Sequence, residues 1–466
     1  MKRASLRSRK SAAEAASSAI RAEERHLMNT YKRPRVVFTR GKGCYLYDAN
    51  GHAYLDFLGG IAVNALGHAH PRVVAAIRRE AGRAIHISNL YHNPYQGPLA
   101  AKLAKWSGLD RAFFTNSGTE AIEGALKLAR LHARKAAGAA QHPPHKFLAL
   151  ENSFHGRTFG AVSITSTAKY REPFAPLVPG VEFVRFNDVN DLAAKFDGSV
   201  CAIVMETVQG EGGIHRVSEP FYKLARQLAT KNGAALIADE IQCGLGRTGR
   251  PFAYQKFATT PEMLPDIVTV AKPIAAGLPL GAFLAREEFA QAFSPGAHGT
   301  TFGGGPLVCA VALEVLSIIE EEKLMENARE RGEEICVGLA EIALRYEGVR
   351  EIRGEGLMIG MELAHDGGPA ADAALAGRLL INCTHERTLR LLPALNITSR
   401  NVAEFLEKME RALVNSRPQA KFEMPAAAQL ARPHRSEPAL VTHTNHGEHA
   451  RARGHAMAAA AYAEKG

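Results

Sequence analysis

Between about residue 61 and residue 302 the chain repeats one pattern, a short apolar run followed by a longer stretch with helical periodicity. The runs are AFFT, KFLAL, EFVRF, CAIVME, AALIAD and DIVTVA, and the helical stretches include EAIEGALKLARLHARKAA and EPFYKLARQLATKNG. Apolar strands alternating with helices bury themselves in a mostly parallel sheet covered on both faces. The fold class is therefore α/β. In such a sheet ligands bind beyond the carboxyl ends of the strands, so residues that directly follow the apolar runs should converge on one crevice.

At 466 residues the chain exceeds what one compact core ordinarily uses, so two domains are expected. Residues 1 to 21 read as a basic, disordered tail. Residues 22 to 60 read as a short helix and a hairpin, with GKGCYLYD and HAYLDF around the turn at Asp48, Ala49, Asn50 and Gly51, joining the smaller domain. The large domain spans 61 to 305. From Pro306 to residue 415, amphipathic helices surround the strand candidates VREIRGEGLMIGMEL and TLRLLP, as in a smaller α+β domain. Residues 416 to 466 lack periodicity and read as disordered, and the histidines there (His434, His443, His446, His449, His455) have no ligand spacing.

The formal net charge of +10 has much of its excess at the two ends of the chain, which argues against a nucleic-acid surface. Lys2, Arg3, Arg7, Arg9 and Lys10 stand in the first 13 residues without an acid, so an organellar transit peptide is weighed against a plain tail. No apolar run approaches the roughly 20 residues of a membrane span. Six cysteines lie far apart with no CxxC pair, fitting a reducing compartment and no metal cluster. The cytoplasm is the expected location.

Two residues dominate the chemistry. Lys272 lies in the loop AKPIAAGLP, and Asp239 ends the run AALIAD. A lysine that acts as a nucleophile must lose its proton, and a water-poor loop of small residues favours that loss. A buried carboxylate suits a ring cation. Pyridoxal phosphate needs both, an amine for its aldehyde and an acid for its pyridine nitrogen. The other junctions add to them. After AFFT come Asn116, Ser117, Gly118, Thr119 and Glu120 at a helix start, a seat for phosphate. After KFLAL, Phe154 could stack on a flat ring while Arg157 clamps a substrate carboxylate. After CAIVME stands Glu211 between glycines, and His298, Thr300 and Thr301 precede three more. GLGRTG formally matches a dinucleotide fingerprint, but no regular helix follows it and that reading is rejected.

The motifs FLGGIAVNALGHAHP, SNLYHNPYQ, FFTNSGTEA, FHGRT, ETVQGEGG, DEIQCGLGRTG, AKPIAAGLPLGA, HGTTFGGGP and LRLLPALNI occur in this order across residues 22 to 415. With them the chain resembles the class-III aminotransferases of fold type I, which depend on pyridoxal phosphate. The resemblance is strongest to those that act on acetylornithine. It implies that Lys272 holds the cofactor aldehyde and that Asp239 pairs the ring nitrogen. Glu240, Ile241 and Gln242 would lie beside the ring, Gly118 and Thr119 at the phosphate, and Phe154 on the ring face. Thr301 would reach the phosphate of a neighbouring subunit, which implies a homodimer with shared sites. Arg157 and Thr300 would contact substrate. Glu211 and Arg390 would pair to shield one carboxylate-binding arginine and separate to admit glutamate. Ala275, Ala276 and Gly305 depart from the common pattern.

The implied reaction transfers the terminal amine of N2-acetylornithine to 2-oxoglutarate, in arginine biosynthesis. Ile61 stands where ornithine aminotransferases carry an aromatic, which disfavours free ornithine. Succinylornithine, acetyllysine and 4-aminobutyrate remain as alternative donors. An inactive relative acting as a scaffold is the other class of reading, and the full set of chemical groups opposes it.

Overall fold

A computed structural model describes residues 2–416, with residues 2–11 given as backbone only. The tail assigned to 416–466 lies, beyond Ser416, outside the described residues. At the other end, where a disordered tail and a short helix were expected, one helix runs from Lys2 to His26. Alanine, arginine, lysine and glutamate are strong helix formers and no proline interrupts them there, so local propensity carries the segment.

The centre is a seven-stranded sheet in the order Arg111–Thr115, Gly281–Ala285, Ile267–Val270, Ala235–Asp239, Val200–Glu206, Lys146–Leu150, Val181–Val184. All six apolar runs read from the sequence are strands of it. The seventh, Gly281–Ala285, pairs antiparallel with both neighbours and was not foreseen, because its glycine and two alanines carry little strand signal. The three central strands are buried along their whole length, which explains their unalternated apolar sequence.

Helices cover both faces. Gly118–Ala136 is capped by Ser117, whose side chain accepts from Glu120 N, and it buries Ala121, Ile122, Ala125, Leu128 and Ala129. A Cβ at Gly124 would meet the Phe283 ring at 2.2 Å, so only glycine lets this helix lie so close to the sheet. Glu219–Asn232 starts at the Ser218 cap and stops at Gly233, whose φ of 63° suits glycine.

Two smaller sheets flank this body. The hairpin Tyr45–Asp48 and Ala53–Asp56 forms as read, extended by Phe38–Lys42 on one side. On the other side Ala53–Asp56 pairs in parallel with Leu379–Leu380, a strand more than 300 residues away. The third sheet is antiparallel, in the order Val349–Glu355, Met358–Leu363, Thr388–Leu391, Asn382–Thr384. Among the described residues no helix is long and apolar enough to cross a membrane.

At the amino ends of the central strands a buried ionic network holds the sheet to its helices. Asp266 accepts from Arg226 Nη1 at 2.8 Å and from Leu236 N at 2.7 Å, with Arg286 Nε 3.3 Å away. Removing one member of such a network leaves the others charged and unpaired in a dry interior. Asp266→Ala is therefore expected to cost about 3 kcal/mol or more, read as a lowered thermal midpoint of the cofactor-loaded protein.

Candidate active site

At the opposite, carboxyl ends of the strands lies a cavity of about 400 Å³. Gly118, Thr119, Phe154, Arg157, Asp239, Ile241, Gln242 and Lys272 all line it. The sheet register brings them together. Glu206 and Asp239 end neighbouring parallel strands and stand directly opposite one another, and Lys272 follows the next strand, Ile267–Val270, by two residues.

Asp239 is held on both oxygens. Its Oδ1 accepts from Ile241 N at 3.1 Å and Thr269 Oγ1 at 3.2 Å, while His155 Nδ1 lies 2.7 Å from Oδ2. His155 is buried and its Nε2 has no hydrogen-bond partner among the described residues. His155 stands within FHGRT, where nothing in the sequence marks it as a partner of Asp239. Glu206 carries a clearer signal, an acid closing a fully buried strand. It accepts from Phe154 N and Gly210 N, at 2.9 and 2.8 Å, and burial pushes its carboxyl up to about 7.

Lys272 lies in a short helical turn, Lys272–Ala275, which ends at Ala276 with φ 50° and ψ 38°. Desolvation, followed by the positive charge of Arg390, lowers its amine to about 8. Arg390 is itself buried, donating from Nη1 to Glu211 Oε1 at 2.6 Å and Gln242 Oε1 at 3.3 Å, and from Nε to Asn382 Oδ1 at 3.2 Å. Burial would raise the Glu211 carboxyl, but Arg390 outweighs it and holds the group below the usual glutamate range. The Glu211 and Arg390 pair anticipated from the resemblance is thus formed, behind Gln242 rather than in the cavity wall.

Thr119 Oγ1 lies 2.8 Å from Thr158 Oγ1 and accepts from the Arg157 and Thr158 amides, both at 3.3 Å. A Cβ at Gly156 would meet Thr119 Oγ1 at 2.3 Å, one at Gly118 would meet Ile241 at 2.8 Å, and one at Gly210 would meet Gln242 Oε1 at 2.4 Å. Glycines therefore keep the backbone close around this end of the cavity. Thr300 sits outside it, fixed by Asn116 Nδ2 at 3.1 Å. Thr301 is exposed.

Glu240, expected beside the cofactor, instead turns its carboxylate away and accepts from Thr207 Oγ1, Ala253 N and Tyr254 N, at 2.8, 2.8 and 3.0 Å. The alternation of side chains along extended backbone puts it on the face opposite Asp239. It secures the loop after Asp239 rather than a ligand.

A small, half-dry lysine amine, an anchored carboxylate and a glycine-lined helix start together form the donor set of a Schiff-base cofactor with a phosphate arm. The sequence model of the class-III aminotransferases matches residues 27–413, and the chain belongs to that family. Its cofactor is pyridoxal 5′-phosphate, which the residues just described fit. The acetylornithine aminotransferase of Clostridium acetobutylicum is 42% identical over 389 residues, covering 83% of this chain and 99% of that one. That of Aquifex aeolicus is 42% identical over 390 residues, covering 83% and 100%. Among solved structures, the ornithine aminotransferase of Toxoplasma gondii matches with a TM-score of 0.81 at 33% identity, over 86% of this chain and 95% of that one. The acetylornithine aminotransferase of Elizabethkingia anophelis matches with a TM-score of 0.75 at 29% identity, over 86% and 99%.

The lowered amine has a direct test. In the cofactor-free protein, acylation of Lys272 followed by mass spectrometry should reach half its maximal rate near pH 8, as the neutral amine appears. Arg390→Gln removes a positive charge that disfavours the ammonium form, so that midpoint should move to higher pH.

Proposed function

We propose that this chain is an acetylornithine aminotransferase, converting N2-acetylornithine and 2-oxoglutarate to N-acetylglutamate 5-semialdehyde and glutamate in arginine biosynthesis. The observation that carries the reading is the convergence of Lys272, Asp239 and Arg157 on one cavity, in a chain that matches acetylornithine aminotransferases along nearly their whole length.

When bound, pyridoxal phosphate supplies an aldehyde that condenses with amines and a ring that takes up the electron pair left by a departing proton. Lys272 Nζ would hold that aldehyde and, once free, would move the proton at the substrate carbon. A pKa near 8 keeps a useful fraction of it neutral. Asp239, fixed by His155 and Thr269, would keep a proton on the ring nitrogen. Phe154 would cover one ring face, with Gln242 and Ile241 beside the ring. The amides of the helix start at Gly118 and Thr119 would take the phosphate. Arg157 and Thr300 receive the carboxylate of the amino donor. Glu211 covers Arg390 while that donor is present and releases it to bind a carboxylate of 2-oxoglutarate or glutamate.

The working form is a homodimer. Ile85, Leu90, Tyr91 and Phe302 are 61 to 86% exposed, and Asn89 ties their two segments together through the Thr300 and Gly303 carbonyls. An apolar patch of this kind beside the exposed Thr301 suits a second copy whose cavity Thr301 completes. The division into domains follows the sheets, with 61–305 as the large domain and 306–415 as the small one. Residues 22–60 go with the small domain, as the pairing of Ala53–Asp56 with Leu379–Leu380 supports. The cytoplasm is the proposed location.

Initial rates of glutamate formation from 2-oxoglutarate should be highest with N2-acetylornithine when N2-succinylornithine, acetyllysine, ornithine and 4-aminobutyrate are offered beside it. Preference for another donor overturns the substrate assignment, and Lys272→Ala should show no turnover with any. Leu90→Asp with Phe302→Asp should sediment as a monomer and bind the cofactor weakly; an unchanged dimer removes this surface from the interface.

A further inference from the structure

Arg157 is an unusual arginine for a substrate clamp, because no acid orients it. Among the described residues no carboxylate or carbonyl is bonded to its guanidinium, and its only hydrogen bond runs from the backbone amide to Thr119 Oγ1. A long, exposed side chain without a partner samples many rotamers and loses that freedom when a ligand fixes it.

What holds it is an aromatic face. The Arg157 guanidinium carbon lies 3.7 Å from the ring centroid of Tyr170, a stacking distance, and 5.6 Å from that of Phe154. Tyr170 belongs to the short helix Ala168–Arg171, and its ring meets Phe154 edge-on, with centroids 6.2 Å apart and planes at 86°. Lys169 Nζ lies 5.3 Å from the same ring. Tyr170 does not line the cavity, whereas Arg157 and Phe154 do.

The physical consequence follows from guanidinium geometry. Its N–H donors radiate in the plane, while its attraction to a ring acts through the flat face. An acidic partner would orient Arg157 but occupy the fork that a carboxylate needs, and it would also cancel the charge. A stacked ring orients the group and leaves the fork and the charge free. We infer that Tyr170 is a positioning residue that presets Arg157 for the carboxylate of the amino donor and thereby sets the affinity for that donor. Through its edge contact it also ties the arginine to Phe154, so the clamp and the ring cover keep a fixed relation. The inference rests on the assignment of Arg157 to the substrate carboxylate. The tyrosine hydroxyl has no part in it.

The test is steady-state kinetics of the cofactor-loaded enzyme, with N2-acetylornithine varied at saturating 2-oxoglutarate, for Tyr170→Ala, Tyr170→Phe, Arg157→Ala and the double alanine variant. Tyr170→Ala should raise KM for the donor about tenfold with kcat within about twofold, the scale of one partly desolvated stack. Tyr170→Phe should restore the parent values. In the Arg157→Ala background, Tyr170→Ala should add nothing further. A normal KM in Tyr170→Ala beside a raised KM in Arg157→Ala overturns this inference alone. A normal KM in Arg157→Ala overturns the clamp assignment and this inference with it. Equal losses of kcat in both backgrounds, with a weakened cofactor absorbance, would make Tyr170 a merely structural residue and also overturn the inference.

Discussion

The register of three buried parallel strands is the constraint on which everything else depends. Val200–Glu206, Ala235–Asp239 and Ile267–Val270 are aligned so that Glu206 faces Asp239 and the chain then turns into Lys272. A slip of one residue would send each of these side chains to the other face of the sheet. Burial of both sheet faces forbids such a slip, because all three strands are buried along their length, and Asp266, just before Ile267–Val270, also holds Leu236 N of the adjoining strand. The groups at these strand ends inherit their precision from the buried core behind them.

Placing several charges at the end of a dry sheet creates a second requirement, that each be answered by a neighbour. The protein meets it with shared partners. His155 and Thr269 serve Asp239, the Phe154 and Gly210 amides serve Glu206, and Gln242, Asn382 and Glu211 serve Arg390. The amides that serve Glu206 belong to the loop carrying Phe154 and to the loop leading to Glu211. Lys272 has no salt-bridge partner among the described residues, and desolvation with the positive charge of Arg390 outweighs the nearby carboxylates and lowers its pKa. Arg157 is treated the same way on the outer side, oriented by an aromatic face rather than by an acid.

Much of this was legible along the chain. The six apolar runs became strands, and eight of the thirteen residues assigned to the site line a single cavity. Three kinds of residue escaped. The strand Gly281–Ala285 is made of small residues whose strand character comes from its neighbours. His155 and Tyr170 act on other protein groups, so no substrate or cofactor chemistry pointed to them. Glu240 misled because adjacency to Asp239 in sequence is opposition in space on extended backbone. The helical stretch Lys2–His26 shows the reverse error, where composition suggested disorder and local propensity gives a helix.

The sequence by itself determined the fold class, the order of the strands and helices, and the chemical kinds of group delivered at each strand end. Periodicity and residue type are local properties, and a chain carries them wherever it goes. Only the tertiary structure decided which of those groups face one another, which carboxylate turns away, and how far each pKa moves. Those outcomes depend on sheet register, on glycines that permit close backbone approach, and on the exclusion of water, none of which exists until distant segments have packed.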